Sequence, residues 1–110
     1  MCASDVPTVN VDELQQMLNR PDPPLVLDVR ELDEWQFCRI EGAKHLPMSE
    51  IQDRVHELKL ARQTVVYCHH GVRSEDVAEF LRSRGFKRVA SLTEGIDAWS
   101  LYIDPTVPRY

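Results

Sequence analysis

The sequence predicts an α/β fold built on a mostly parallel sheet, and three observations support this prediction. Short runs at residues 25–29, 64–68 and 87–92 are candidate strands, and the first two of them are largely apolar. Segments with apolar residues at helical spacing separate these runs, so helices and strands alternate along the chain. The run at 25–29 is apolar at nearly every position, which is typical of a parallel strand buried on both faces.

The first half of the chain alternates helix and strand. Asn10 and Glu13 form a capping-box pattern, and apolar residues then recur at helical spacing, so we expect a helix over residues 10–18. The next predicted elements are the strand at 25–29, a short helix over 31–38 and a short strand over 44–46. The apolar side chains expected to face inward from the short helix are Leu32, Trp35 and Phe37.

The second half repeats the alternation. Ser49 and Gln52 form a second capping-box pattern that opens a third helix. Ser74 is expected to cap the next helix, which runs to Arg84 and ends at Gly85. The remaining predicted elements are the strands at 64–68 and 87–92, a helix within 94–102 and an extended, proline-containing tail over 104–110.

Length and composition are those of an ordinary globular protein. The 110 residues predict one domain over 1–110, with 43% hydrophobic and 28% charged residues. No apolar run approaches the roughly 18 residues that a membrane span needs, and no signal peptide is expected at the N-terminus. The formal net charge of −5 argues against nucleic acid or an anionic membrane as a partner.

The chain has three cysteines, Cys2, Cys38 and Cys68, and no CxxC pair. An odd number of cysteines without a secretion signal predicts reduced thiols in a cytoplasmic protein. Cys38 could act as a resolving thiol, but nothing in the sequence places it near Cys68.

One segment near the middle of the chain combines features that activate a cysteine. Cys68 ends a predicted strand, the loop 69–73 follows, and a helix is expected to begin at Ser74. If the loop curls around the sulfur, its backbone N–H groups and the helix N-terminus both stabilise a thiolate. Gly71 lets the backbone turn without a Cβ clash, and Arg73 offers a forked cationic donor to an incoming oxyanion. The alternative is a buried structural cysteine.

Four further residues are candidates for the site. His69 and His70 could assist proton transfer near neutral pH, although we favour a role in steering the substrate. They lack further ligands at suitable spacing, so no metal site is predicted. Asp28 and Arg30 follow a strand, where ligand-facing residues usually lie. We favour a structural role for them, such as an ion pair, over the alternative that Arg30 adds positive field near the sulfur.

Five motifs, in this order and spacing, resemble a single-domain rhodanese over about residues 9–103. The motifs are Leu25-Val26-Leu27-Asp28-Val29-Arg30-Glu31, Asp33-Glu34-Trp35, Ile40-Glu41-Gly42-Ala43 with Leu46-Pro47, Val65-Val66-Tyr67-Cys68 through Ser74, and Gly95-Ile96-Asp97-Ala98-Trp99. The sulfur loop and the ending resemble most the rhodanese domains that are fused to, or work beside, adenylating enzymes of sulfur-carrier pathways.

The resemblance implies a five-stranded, mostly parallel sheet flanked by helices on both faces, with the core at about 9–103. It also implies that Cys68 is the catalytic nucleophile and carries a persulfide, without a metal or another cofactor. The residues that would cradle this persulfide are His69, His70, Gly71, Val72 and Arg73. The supporting residues would be Asp28, Arg30 and Ser74.

The implied activity is a sulfurtransferase that moves sulfane sulfur from a donor to a thiophilic acceptor by double displacement. The donor would be thiosulfate or a persulfide, and the acceptor a thiol, or cyanide in an assay. A protein of a sulfur-carrier pathway is the candidate protein partner.

Two positions depart from the family pattern, and two alternatives stay open. Cys38-Arg39 stand where the family often has Gly-His, and Glu94-Gly95 stand where it has Gly-Gly. Phosphatases and arsenate reductases of similar fold have a Cys-x5-Arg loop, whereas Cys68 and Arg73 leave one residue fewer, which fits a terminal sulfur better than a phosphate. The other alternative is a non-catalytic docking module of the same fold.

Overall fold

In the computed structural model, which describes residues 6–110, five strands form one sheet. The strands are β1 (Thr8–Val9), β2 (Leu25–Asp28), β3 (Lys44–His45), β4 (Thr64–Tyr67) and β5 (Val89–Leu92). All pairings are parallel, and the strand order is β1-β5-β4-β2-β3. The central strand is therefore β4, and the residue after it leaves the middle of the sheet at its carboxyl edge.

Helices cover both faces of this sheet. They are α1 (Val11–Leu18), α2 (Leu32–Phe37), α3 (Ile51–Arg54), α4 (Val72–Ser83) and α5 (Gly95–Tyr102). Val65 packs with residues of α1 and α5 on one face, and Val66 packs with residues of α3 and α4 on the other. Successive strand residues point to opposite faces, so one central strand supplies both hydrophobic cores. The predicted five-stranded parallel sheet flanked by helices is confirmed.

The start of α1 is confirmed in detail. The Asn10 side chain accepts a hydrogen bond from the Glu13 N–H at 2.8 Å, and the Glu13 carboxylate accepts one from the Asn10 N–H at 2.9 Å. These reciprocal bonds satisfy two N–H groups that would otherwise lack partners at the helix end. By contrast, no segment of the sequence was predicted as strand β1. This strand has only two residues, too few for a periodic pattern.

The inward orientation predicted for the apolar residues of α2 is wrong. Leu32 is 56% exposed, Phe37 is 55% exposed and Trp35 is half-buried. Trp35 instead stacks on the ring of His45, with the ring centroids 4.9 Å apart. The core beside α2 is closed by other residues, among them Ile40 and Val107, which leaves α2 on the surface.

Two predicted helix caps are also wrong. Ser49 lies inside a 3-10 turn, Met48–Glu50, and its hydroxyl donates to the Glu31 carboxylate at 2.8 Å, so it is not available to cap α3. Helix α4 begins at Val72, two residues before Ser74, with Gly71 at the cap position. The hydroxyl of Ser74 therefore acts inside the first turn of α4.

The chain after α5 contains no further helix. A turn forms between Asp104 and Val107, whose N–H donates to the Asp104 carbonyl at 3.1 Å. Val107 is buried against the core, so the tail returns to the body of the protein instead of extending from it. Within residues 6–110, no helix is long and apolar enough to cross a membrane.

Candidate functional site

Cys68 follows the central strand directly, and the next residues curl around its sulfur. The Gly71 N–H donates to Sγ at 3.0 Å, and the Ser74 N–H donates at 3.4 Å. The side chain is buried, with 1% of the residue exposed. The two donors are the cap residue of α4 and a residue of its first turn, where the helix dipole is positive. The arrangement stabilises negative charge on this sulfur.

Gly71 allows the loop to turn into the helix. Its φ is +110°, a conformation that residues with a Cβ rarely adopt. A Cβ at this position would also lie 3.3 Å from the backbone nitrogen of Glu94. Only glycine fits this position without strain, and its N–H group is the one that faces the sulfur.

The beginning of α5 supports the other side of the loop. The Ile96 N–H donates to the Cys68 carbonyl at 2.9 Å, and the Asp97 N–H donates to the His69 carbonyl at 3.2 Å. A Cβ on Gly95 would overlap the Cys68 carbonyl oxygen, far inside van der Waals contact. Gly95 therefore permits α5 and the sulfur loop to touch through their backbones.

Two buried serines lie beneath the loop. The Ser74 hydroxyl donates to the Gly71 carbonyl at 3.1 Å and is 2.7 Å from the hydroxyl of Ser91 in β5. It is also 3.5 Å from the Cys68 sulfur. Ser74 thus ties the loop to the sheet. Ser91 was not predicted as a site residue, although a serine in an otherwise apolar strand is a usable signal.

Arg73, predicted to receive an oxyanion, is held by a carboxylate in this structure. Its Nη1 and Nη2 donate to the two carboxylate oxygens of Glu34 at 2.7 and 2.9 Å. The hydrogen bonds from Arg73 lower the pKa of Glu34 to about 2, against the opposing effect of burial. Glu34 is therefore ionised across the physiological range, and it neutralises the positive charge of the loop.

Tyr110 covers this arrangement from outside, and no sequence pattern predicted its role. Its hydroxyl accepts from Arg30 Nη1 at 2.9 Å and donates to Glu34 Oε2 at 2.7 Å. Its ring stacks on His69, with centroids 3.8 Å apart and planes 7° from parallel. Burial raises the pKa of Tyr110, so the hydroxyl stays protonated and keeps its donor.

Asp28 and Arg30 form a fully buried ion pair. Asp28 accepts from Arg30 Nη2 at 2.7 Å, from the Arg30 backbone N–H at 2.9 Å and from the Tyr67 hydroxyl at 2.6 Å. Alternation along β2 and β4 places Asp28 and Tyr67 on the sheet face opposite Cys68. The charge of Arg30 is compensated where it lies, and the geometry favours the structural role.

The rings of the two loop histidines are in contact, with centroids 3.9 Å apart and planes tilted by 32°. Burial, and then the proximity of His70, lower the pKa of His69, so its imidazole is neutral at pH 7. The His69 Nε2 atom is buried and has no hydrogen-bond partner within residues 6–110. Val72, the remaining loop residue, is 73% exposed at the start of α4.

The structure does not bring Cys38 and Cys68 together. Cys38 belongs to the core on the side of α1 and α5, and Cys68 to the core on the side of α3 and α4. Cys2 lies outside the described residues. In the part of the chain that the structure describes, no three His, Cys, Asp or Glu side chains converge to hold a metal ion.

Comparisons with known proteins agree with the fold. The model of the rhodanese-like domain family matches residues 10–102. The thiosulfate sulfurtransferase GlpE of Coxiella burnetii is 35% identical over 78 residues, which are 71% of this chain and 73% of GlpE. A rhodanese-like domain protein from Staphylococcus aureus has a solved structure with a TM-score of 0.84 and 28% identity, covering 96% of this chain and 99% of that one.

A further relative extends beyond this chain. YrkF of Bacillus subtilis, which is named as a sulfur carrier protein, is 32% identical over 98 residues. The match covers 89% of this chain and 53% of YrkF, so the chain spans about half of that relative.

Proposed function

This chain belongs to the rhodanese-like domain family, and on that premise we propose that it is a sulfurtransferase carrying sulfane sulfur as a persulfide on Cys68. The observation that carries the proposal is the pair of N–H groups from Gly71 and Ser74 aimed at the buried sulfur. Fixed donors at the N-terminus of a helix stabilise both a thiolate and an anionic persulfide.

The proposed reaction has two displacements. The Cys68 thiolate attacks the outer sulfur of the donor; with thiosulfate, the S–S bond breaks and sulfite leaves with the electron pair. Cys68 then carries a persulfide anion within the loop. An acceptor thiolate, or cyanide in an assay, attacks the terminal sulfur, the persulfide bond breaks, and the Cys68 thiolate is regenerated.

The remaining loop residues have roles that follow from their positions. Gly71 shapes the nest of N–H groups, while Ser74 and Ser91 hold it against the sheet. Arg73 uses two of its five N–H donors on Glu34, so an anionic donor must recruit the others or displace Glu34. His69 and His70 form part of the wall of the site.

The names of two relatives support the classes of donor and acceptor. GlpE is named as a thiosulfate sulfurtransferase, and YrkF as a sulfur carrier protein. We therefore propose thiosulfate or a persulfide as the donor, and a thiol, including one from a sulfur-carrier pathway, as the acceptor.

Mass spectrometry of the intact protein after thiosulfate treatment tests the proposal. One added sulfur atom should appear and should map to Cys68. Cys68→Ala should abolish this addition and all turnover, because alanine cannot form the intermediate while the backbone of the loop is unchanged. Cys38→Ser is the matched control and should gain the sulfur normally. A folded protein that takes no sulfur from thiosulfate or from an organic persulfide would favour the non-catalytic docking module.

A further inference from the structure

The segments before β2, β4 and β5 concentrate positive charge at the amino edge of the sheet. Residues 20–24, 58–63 and 82–88 hold seven of the thirteen Lys and Arg residues but one acid, Asp22. The rest of the chain has six basic and seventeen acidic residues. We call this surface the basic end. Its cations are Arg20, Lys59, Arg62, Arg82, Arg84, Lys87 and Arg88.

The charge of the basic end is not compensated locally. All seven cations are exposed, and none of them forms an ion pair within residues 6–110. Elsewhere in that range, five of the six other basic residues are paired with carboxylates. These five are Arg30, Lys44, Arg54, Arg73 and Arg109. The protein thus neutralises most of its cations, except at this edge.

Contacts between the loops make the basic end one continuous surface. Arg88 donates to the Ala61 carbonyl at 3.2 Å, and Arg20 donates to the Gln63 side chain at 3.2 Å. A shallow groove of about 290 Å³ lies between these loops. Its charged lining residues are Asp22, Lys59, Arg62 and Arg88.

An apolar side chain lies among these cations. Leu60 is 56% exposed, although it stands between Lys59 and Ala61 in the same loop. One of its methyl carbons is 3.7 Å from the position that a Cβ on Gly85 would occupy, so Leu60 spans the gap to the end of α4. An apolar anchor within a charged rim is the usual anatomy of a protein–protein interface.

We propose that the basic end is a docking surface for an acidic protein, with Leu60 as its apolar anchor. A protein with a local acidic patch engages this edge alone. A long polyanion or an anionic lipid surface also comes close to the acidic remainder of the chain, which repels it. The one aromatic residue in these three segments, Phe86, is 4% exposed and offers no platform for stacking bases.

The location of the surface indicates what the docked protein does. Cys68 leaves the sheet at its carboxyl edge, and the basic end lies at the amino edge of the same strands. A partner bound there leaves the sulfur loop open, so it acts as a tether and does not exchange sulfur from that position. The docking proposal stands apart from the proposed sulfurtransferase activity.

Titration of the ¹⁵N-labelled full chain by NMR tests the proposal, with a polyglutamate peptide that contains a central leucine as the probe. Amide signals of residues 59–63 and 84–88 should shift, and those of residues 68–73 should not. Raising the salt from about 0.1 M to about 1 M shortens the Debye length from about 10 Å to about 3 Å, so the Kd should rise about tenfold or more.

Variants separate this surface from general electrostatics. Arg62→Glu should raise the Kd about fivefold or more, because one attraction becomes a repulsion. Arg39→Glu changes the charge equally at an exposed arginine outside the basic end, which forms no ion pair within residues 6–110 but lies over the ring of Trp35, and should change the Kd less than twofold. Leu60→Ser should weaken binding by a similar factor at both salt concentrations. Arg62→Glu should still acquire sulfur on Cys68.

Several results would overturn the proposal: no peptide binding, shifts centred outside the basic end, or equal effects of Arg62→Glu and Arg39→Glu. Tighter binding of duplex RNA or of phosphatidylglycerol vesicles by the same residues would show that this surface binds another polyanion and not an acidic protein. Loss of sulfur transfer in folded Arg62→Glu would contradict the tether. Failure of Cys68 to take sulfur would leave peptide binding unaffected, so the two proposals fail separately.

Discussion

The hydroxyl of Tyr110 joins two ion pairs that are distant in the sequence. It accepts from Arg30, which binds Asp28, and it donates to Glu34, which binds Arg73. A buried ion pair of the core is thereby connected to the arginine of the sulfur loop. Removal of the hydroxyl oxygen alone breaks the network, because the ring of Tyr110 makes a separate contact with His69.

Tyr110→Phe should lower the free energy of unfolding by about 1 kcal/mol, because the substitution removes both hydrogen bonds and keeps the ring on His69. Tyr110→Ala should cost more, since the stacking is lost too. Urea unfolding measures both values. Tyr102→Phe, at a residue that is 71% exposed, is the matched control and should be nearly neutral. Equal values for Tyr110→Phe and Tyr102→Phe would show that the bridge contributes nothing.

The ion pair between Glu34 and Arg73 predicts a pH dependence. The pKa of Glu34 is lowered from 4.5 to about 2 in the folded protein, mainly by hydrogen bonds from Arg73. The ion pair therefore stabilises the folded protein fully at pH values above the ordinary pKa of 4.5, and this stabilisation is lost as the pH falls towards about 2. The stability difference between wild type and Glu34→Gln should be constant from about pH 6 to 8 and should shrink below about pH 4.5. A difference that grows on acidification would contradict this assignment.

Among the secondary-structure elements, α5 has the most direct effect on the sulfur loop. Gly95→Ala should reduce the rate of persulfide formation about tenfold or more, because the new methyl group would overlap the Cys68 carbonyl and displace the loop. Gly42→Ala is the matched control: φ is +84° and nothing lies within 4 Å of the added Cβ. It should cost about 1 kcal/mol of stability from backbone strain and leave persulfide formation unchanged. Similar activities for the two variants would show that α5 does not support the loop.

The residue before α5 is strained. Glu94 has a φ of +61°, a conformation in which glycine is favoured. Glu94→Gly should raise the free energy of unfolding by up to about 1 kcal/mol, net of the extra freedom of glycine in the unfolded chain. Glu94→Val should lower it, since a branched side chain fits this conformation poorly. Thermal unfolding of both variants provides the comparison, and a Val variant as stable as the Gly variant would refute the strain.

For the molecule as a whole, the sequence predicts the architecture because hydrophobic periodicity and caps are local. The central strands, α1 with its capping box and the placement of Cys68 at the edge of the sheet all follow from neighbouring residues. The cap predicted at Ser74 fails for a local reason, because Gly71 already occupies the cap position, but other errors lie where a distant residue decides the outcome. Ser49 is engaged by Glu31, and Phe37 meets the ring of Tyr110, 5.7 Å away between centroids. The pairing of Arg73 with Glu34 is likewise a contact between distant segments.

The opposite positions of Cys38 and Cys68 across the sheet have a consequence for the proposed persulfide. A disulfide requires Cα atoms within about 7 Å and converging side chains, which two thiols in cores on opposite faces cannot provide while the sheet is intact. Once loaded, the sulfur on Cys68 cannot be claimed by Cys38, the only other cysteine within residues 6–110. With respect to Cys38, the loaded protein would thus behave as a store, emptied by a thiol that reaches the loop from elsewhere.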